Sequence, residues 1–132
     1  MSNLHREIIS YLLSELGCSH PYHVSRILLL AEWTAEERLG RRLTSLTYHC
    51  EPYGFYIEEL KPIIQSLEES GCIRRREEKK CMEYVCDKPK LPEDVGRILR
   101  EVLEKVRGLN DVELNRLVIH DPRYRKMLGE MS

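Results

Sequence analysis

Apolar residues at Leu4, Ile8, Ile9, Leu12, Leu13 and Leu16 recur at helical spacing and predict an opening helix that stops at Gly17, where a left-handed cap fits. Ser19 or His20 followed by Pro21 starts a second helix, with Val24, Ile27, Leu28, Ala31 and Trp33 as its apolar face and its end near Gly40. Leu43–His49 is rich in β-branched and apolar residues and predicts a short strand, and Glu51-Pro52-Tyr53-Gly54 reads as a turn. A third helix carries Ile57, Leu60, Ile63, Ile64 and Leu67 on one side and ends at Ser70-Gly71. Pro62 lies inside that pattern, which predicts either a kink or a first turn over Tyr56–Leu60 with the main helix starting near Lys61. Cys72–Arg76 and Cys81–Cys86 then pair as a hairpin around Glu77–Lys80, and Asp87–Lys90 is a linker. Pro92 opens a fourth helix with the stripe Val95, Ile98, Leu99, Val102, Leu103, Val106. Asn110 with Glu113 is a capping box for a fifth helix through about His120, and Asp121-Pro122 caps a last one to about Leu128.

The order helix, glycine, strand, charged tip, returning strand over Tyr53–Cys86 matches the last helix and the wing of a winged-helix domain. The expected fold is α+β and mostly helical: one winged-helix-like domain over residues 1–132, with helices and a β-hairpin wing in 1–86 and a C-terminal helical extension in 91–128. The longest apolar run, Ile27–Ala31, is too short to cross a bilayer, and the N-terminal residues lack the pattern of a signal peptide, so a cytoplasmic protein is expected.

Charge decides how the wing is read. With 21 Lys and Arg against 22 Asp and Glu the chain is near neutral, which argues against a dominant electrostatic affinity for DNA and leaves room for a local patch. Arg74, Arg75, Arg76, Lys79 and Lys80 with Glu77 and Glu78 give the tip a net charge of +3. If Arg74 lies opposite Glu83, however, it forms a cross-strand ion pair instead of a DNA contact. On the preceding helix only Lys61, Gln65 and Ser66 offer groups suited to bases and phosphates, against Glu58, Glu59, Glu68 and Glu69. Arg38, Arg41 and Arg42 form a second basic patch, with pairing to Glu37 and its neighbours as the competing role. Glutamine is nearly absent (only Gln65) and Glu and Arg abound, a bias like that of hyperthermophile proteins.

No catalytic residues and no cofactor are expected. There is no Gly-rich phosphate loop and no His-Glu-x-x-His, and His49 and Cys50 point to opposite faces if they share a strand. His120 suits a helix end better than a nucleophilic pair with Cys50. None of the five cysteines forms a Cys-x-x-Cys pair. They read as reduced, mostly buried thiols, or, more sharply, as a hairpin disulfide from Cys72 to Cys81 or Cys86, which a hyperthermophile cytosol tolerates. A metal site from Cys18, His20, His23, His49 and Cys50 has spacings that fit no structural zinc pattern.

Ile27–Ala31, Gly40-Arg41-Arg42-Leu43-Thr44, Tyr53-Gly54 and Leu60…Leu67-Glu68-Glu69-Ser70-Gly71-Cys72-Ile73 resemble archaeal winged-helix proteins described as predicted transcriptional regulators. More weakly, the same order, closed by Asp111-Val112-Glu113-Leu114…Ile119-His120-Asp121-Pro122, is similar to the Panacea antitoxin domain of phage-associated proteins, although Phe55 stands where that domain has proline after Tyr-Gly. The resemblance spans roughly residues 22–122. The first family implies a DNA-binding transcriptional regulator on double-stranded DNA. A homodimer through Leu4–Leu16 or Val95–Val106 would go with it. The second implies a protein-interaction module, antitoxin-like or an assembly adaptor, with Tyr53, Phe55 and Tyr56 as anchors or, more simply, as core.

Overall fold

The computed structural model describes residues 3–131, an α+β chain of six helices and two antiparallel hairpins. The order is α1 (Asn3–Leu16), α2 (Pro21–Leu39), β1 (Tyr48–Glu51), β2 (Gly54–Ile57), α3 (Leu60–Glu69), β3 (Ile73–Arg76), β4 (Cys81–Tyr84), α4 (Glu93–Lys105), α5 (Asp111–Ile119) and α6 (Pro122–Met131). No helix among the described residues is long and apolar enough to cross a membrane.

Local sequence explains most boundaries. Gly17, Gly40 and Gly71 adopt positive φ where α1, α2 and α3 end, as their lack of Cβ permits. His20 is the N-cap of α2, its Nδ1 accepting from the Tyr22 N–H, and Pro21 occupies the first helical position. The expected capping box at α5 is complete: Asn110 accepts from the Glu113 N–H at 2.8 Å and Glu113 accepts from the Asn110 N–H at 3.0 Å. Asn110→Ala is expected to cost about 1 kcal/mol in denaturant unfolding; an unchanged midpoint would show that the cap does not hold α5.

α2 is the centre of the molecule. α4 and α5 pack along it, and α1 and β2 touch it. Every residue from Val24 to Trp33 is buried, so α2 is covered on all sides and not along one stripe. The stripes of α1 and α4 are spent inside the chain: Ile8, Ile9, Leu12, Leu13, Val95, Ile98, Leu99 and Val102 are all buried. Leu4, Leu16 and Leu103 at the edges of these stripes are half-buried.

Three expectations need correction. Residues 43–47 are not strand; β1 begins at Tyr48, and Tyr56 and Ile57 belong to β2, paired with His49 and Tyr48. The irregular stretch is held by side chains, with Glu32 accepting from the Thr44 N–H and hydroxyl and Arg42 donating to the Leu46 carbonyl. Of the two alternatives for Pro62, the helix start near Lys61 holds, without the preceding helical turn: α3 begins at Leu60 and Pro62 is its third residue, where the first four N–H groups of a helix have no intrahelical acceptor to lose. Tyr53 and Tyr56 are exposed, at 76% and 61%, and Phe55 alone of the three aromatics is core.

The β3–β4 hairpin adopts the register in which Arg74 lies opposite Glu83. A bridge joins it to the α1–α2 junction: the Ser19 N–H donates to the Met82 carbonyl at 2.9 Å and the Met82 N–H to the Ser19 carbonyl at 2.8 Å. Disulfides brace the same region. Cys72–Cys86 closes the base of the hairpin and Cys18–Cys81 ties β4 to the α1–α2 junction, with Cα atoms 4.9 and 5.4 Å apart. Four of the five thiols are thus bonded, against the reading of reduced cysteines; Cys72–Cys86 is one of the two hairpin pairings expected, Cys81 goes instead to Cys18, and Cys50 is free.

Candidate nucleic-acid interface

Strand alternation divides the hairpin arginines between two faces. Arg75 shares a face with Ile73 and turns toward α3, where its Nε and Nη2 donate to the two carboxylate oxygens of Glu68 at 2.6 and 3.2 Å. Arg74 and Arg76 lie on the other face with Glu83. Although Arg74 is opposite Glu83, the partner that binds this carboxylate is Arg76, one diagonal step away. The Arg75 and Arg76 hydrogen bonds hold the Glu68 and Glu83 carboxyls below their ordinary pKa. The Arg75–Glu68 pair is exposed and the Arg76–Glu83 pair half-buried, so the first holds its geometry weakly against a competing anion.

The cations left without a carboxylate at ion-pair distance, among the described residues around this hairpin, are Arg74, Lys79 and Lys80, with Lys61 on α3. All four are exposed. Lys80 sits at φ 52, the left-handed position of the tip. Lys61 and Gln65, one turn apart, share the exposed side of α3 and line a groove of about 630 Å³ together with Arg75. Arg75, Arg76 and Lys80 border a second hollow of about 350 Å³ beside His20. The structure therefore brings Lys61, Gln65, Arg75, Arg76 and Lys80 to one side of the molecule.

Arg41 and Arg42 are not part of that side. They follow the far end of α2, a helix of 19 residues, which spans about 28 Å. Their partners are also not Glu37: Arg41 meets Asp94 at 3.3 Å, Arg38 meets Glu101 at 2.7 Å, and Arg42 binds the buried carboxylate of Glu32 at 2.8 Å. Arg42 is thus an internal cross-link, and its guanidinium is also 5.1 Å from the Tyr48 ring centre. Glu32 completes the arrangement by accepting from the Tyr48 hydroxyl at 2.8 Å. Burial first, then the Glu32 charge and hydrogen bond, push the Tyr48 hydroxyl well above its ordinary pKa.

The acidic side of α3 is mostly tied down. Glu58 meets His49 at 3.1 Å, and Glu59 accepts from the Thr47 N–H and hydroxyl, both at 2.8 Å. Burial alone would raise the Glu59 carboxyl; the Thr47 bonds outweigh it and hold the group low. Ser66, the third polar candidate for DNA, is taken by Arg6 of α1, which also donates to Ser70 at 2.9 Å.

The imagined metal ligands stay apart in their roles. Cys18 is in a disulfide, His20 caps α2, His23 meets Asp111 at 2.6 Å, and His49 stacks on Tyr56. Among the described residues no group of three or more His, Cys, Asp or Glu is placed to hold a metal ion. Burial pushes the Cys50 thiol up, the opposite of an activated nucleophile.

One feature of α2 had no place in the expected site. Arg26 and Glu32 are 3% and 1% exposed, two charges on a helix buried all round. The signal was present in Arg26-Ile-Leu-Leu-Leu-Ala-Glu32-Trp33: an apolar run that fills every face of the helix forces its flanking charges inside. Glu32 has a full set of donors, while Arg26 has neutral partners only at contact, Asn115, Ser25 and Tyr22. Compared with known proteins, the chain matches no protein-family model, no curated protein and no solved structure.

Proposed function

We propose that this protein is a DNA-binding transcriptional regulator of winged-helix type, without enzymatic activity, in which the β3–β4 hairpin lies along phosphates as the wing. The observation that carries the reading is the set Lys61, Arg74, Lys79 and Lys80, exposed on α3 and the adjoining hairpin with no carboxylate at ion-pair distance among the described residues; the Glu83 charge reaches Arg74 and Lys79 only from farther off. Topology supports it: a helix, a glycine stop and a hairpin follow one another, and the Ser19–Met82 bridge adds the rudiment of a third strand from the α1–α2 junction. The extra β1–β2 hairpin sits between the helices that such a domain would use, and α4–α6 are additions. Contacts to phosphate dominate this reading, because α3 offers only Lys61 and Gln65 outward.

The test is DNA affinity against salt. Wild-type binding is expected to fall steeply with salt, and Arg74→Ala with Lys79→Ala and Lys80→Ala is expected to lower the log–log slope by roughly 3. Arg42→Ala, at the far end of α2, leaves the slope unchanged. Absence of binding at low salt, or an unaltered slope in the triple variant, overturns the wing contact.

A second reading is favoured by a different observation. Tyr53 and Tyr56 are exposed on one hairpin, and α5 beside it exposes Val112 and Leu117. Asn115 of α5 donates to the Tyr53 carbonyl at 3.0 Å, which joins the two elements into one surface. Exposed aromatics with near-neutral net charge suit a protein-interaction module, antitoxin-like or an assembly adaptor. A homodimer on either reading needs a surface other than the buried stripes of α1 and α4.

A further inference from the structure

The groove between the start of α2, strand β2 and α3 has a volume of about 630 Å³, within the roughly 300–1,000 Å³ of small-molecule sites. Phe55, Ile57, Leu60 and Ile64 make it apolar, and Tyr22 and Tyr56 add rings. Arg26 is part of its lining. The guanidinium carbon lies 3.6 Å from the Tyr22 ring centre and 4.3 Å from that of Phe55. Gly54 makes room for it: a Cβ there would stand 3.0 Å from Nη2.

This cation is oddly served. Its Nε donates to Asn115 Oδ1 at 3.1 Å and its Nη1 to Ser25 Oγ at 2.9 Å, and the Tyr22 hydroxyl is a third neutral partner, for a group with five N–H bonds. All three partners are neutral. Asp111 acts on Arg26 only from a distance, its carboxylate being held by His23 at 2.6 Å. A guanidinium that is 3% exposed and has no anion at contact is costly, and a buried charge is ordinarily paired. Elsewhere around the groove, Glu58 is taken by His49 and Glu68 by Arg75, while Lys61 has no carboxylate partner. The groove thus holds two cations with no carboxylate at ion-pair distance and a wall of aromatic and aliphatic surface.

We propose that this groove is a binding site for a small aromatic carboxylate, whose ring lies against Phe55, Ile64 and Tyr56 and whose carboxylate completes the charge of Arg26. Arginine suits the role because its planar fork meets a carboxylate through paired N–H donors. Lys61 and Gln65 are also part of the lining, so a filled groove covers two residues that the DNA reading assigns to α3. Ligand and DNA then exclude one another; that coupling rests on the DNA reading, whereas ligand binding does not.

The probes are 1-naphthylacetate and 1-naphthylacetamide, the second alike in shape and without charge. Each is titrated into the full chain and followed by amide chemical shifts. The acid is expected to shift Tyr56, Lys61 and Gln65 and to bind at least about tenfold more tightly than the amide. Arg26→Gln is expected to bring the acid down to the level of the amide. Because a buried substitution can unfold the chain, Tyr56→Ala, at an exposed position, serves as the second variant and is expected to weaken both probes alike. Equal affinity for acid and amide, or shifts away from the groove, overturns the proposal. If the acid binds as expected and a chain that binds DNA is not displaced by it, the mutual exclusion fails and the ligand site stands.

Discussion

Replacing Glu32 with alanine is expected to destabilise the protein by about 3 kcal/mol. The carboxylate is 1% exposed and accepts from four donors: the Thr44 N–H and hydroxyl, the Tyr48 hydroxyl and Arg42. Removing it strands three neutral donors among buried atoms, each a loss of about 1 kcal/mol or more. Arg42 adds less, since its side chain is 40% exposed and water replaces part of what it loses. Glu32→Gln keeps one acceptor and is expected to fall between wild type and Glu32→Ala, while Glu37→Ala, in the exposed C-terminal stretch of α2 beyond its buried middle, stays within about 0.5 kcal/mol of wild type. Urea unfolding measures all three. A Glu32→Ala protein as stable as wild type would show that the irregular 43–47 segment is held by its apolar residues, Leu43 and Leu46, and not by the carboxylate.

Reduction of the disulfides is expected to have the second large effect. Cys72–Cys86 closes a loop with a sequence separation of 14 and Cys18–Cys81 one of 63. In the chain-entropy account these are worth about 3 and about 4 kcal/mol, the unfolded chain losing more freedom with the longer loop. Cys18→Ser with Cys81→Ser should therefore lower the unfolding midpoint more than Cys72→Ser with Cys86→Ser. Position matters as well as stability. The long-range bond sits beside the Ser19–Met82 bridge, and both hold β4 to the α1–α2 junction. Breaking it should speed hydrogen exchange at the Ser19 and Met82 amides, whose bonds are 2.9 and 2.8 Å, before global unfolding. Equal midpoints for oxidised and reduced protein would mean that the hydrophobic core alone holds the hairpin in place. Two disulfides are at home in an oxidising compartment or in a hyperthermophile cell.

The proposed wing and the proposed groove draw on the same two elements, α3 and the hairpin after it. Glu68 and Arg75 join them by an exposed pair that a phosphate or a ligand carboxylate can compete for. The DNA reading is thus strongest at Arg74, Lys79 and Lys80, where no internal carboxylate competes at ion-pair distance, and weakest at the helix.

What the sequence determined by itself is local. The ends of α1, α2 and α3 at Gly17, Gly40 and Gly71, the Asn110–Glu113 box and the Arg74–Glu83 register rest on groups within a few residues or across one hairpin. Periodicity and capping carry such information because they act over one helical turn or one strand pair. The tertiary structure decided what depends on distant partners. Asp94 takes Arg41, Glu32 takes Arg42, Arg6 takes Ser66, and Cys18 takes Cys81, across separations no periodicity encodes. It also decided that α2 is enclosed on every side, which makes Arg26 and Glu32 internal charges. A row of basic letters states how many charges a chain has; which of them remain free is set by the carboxylates that folding brings within reach.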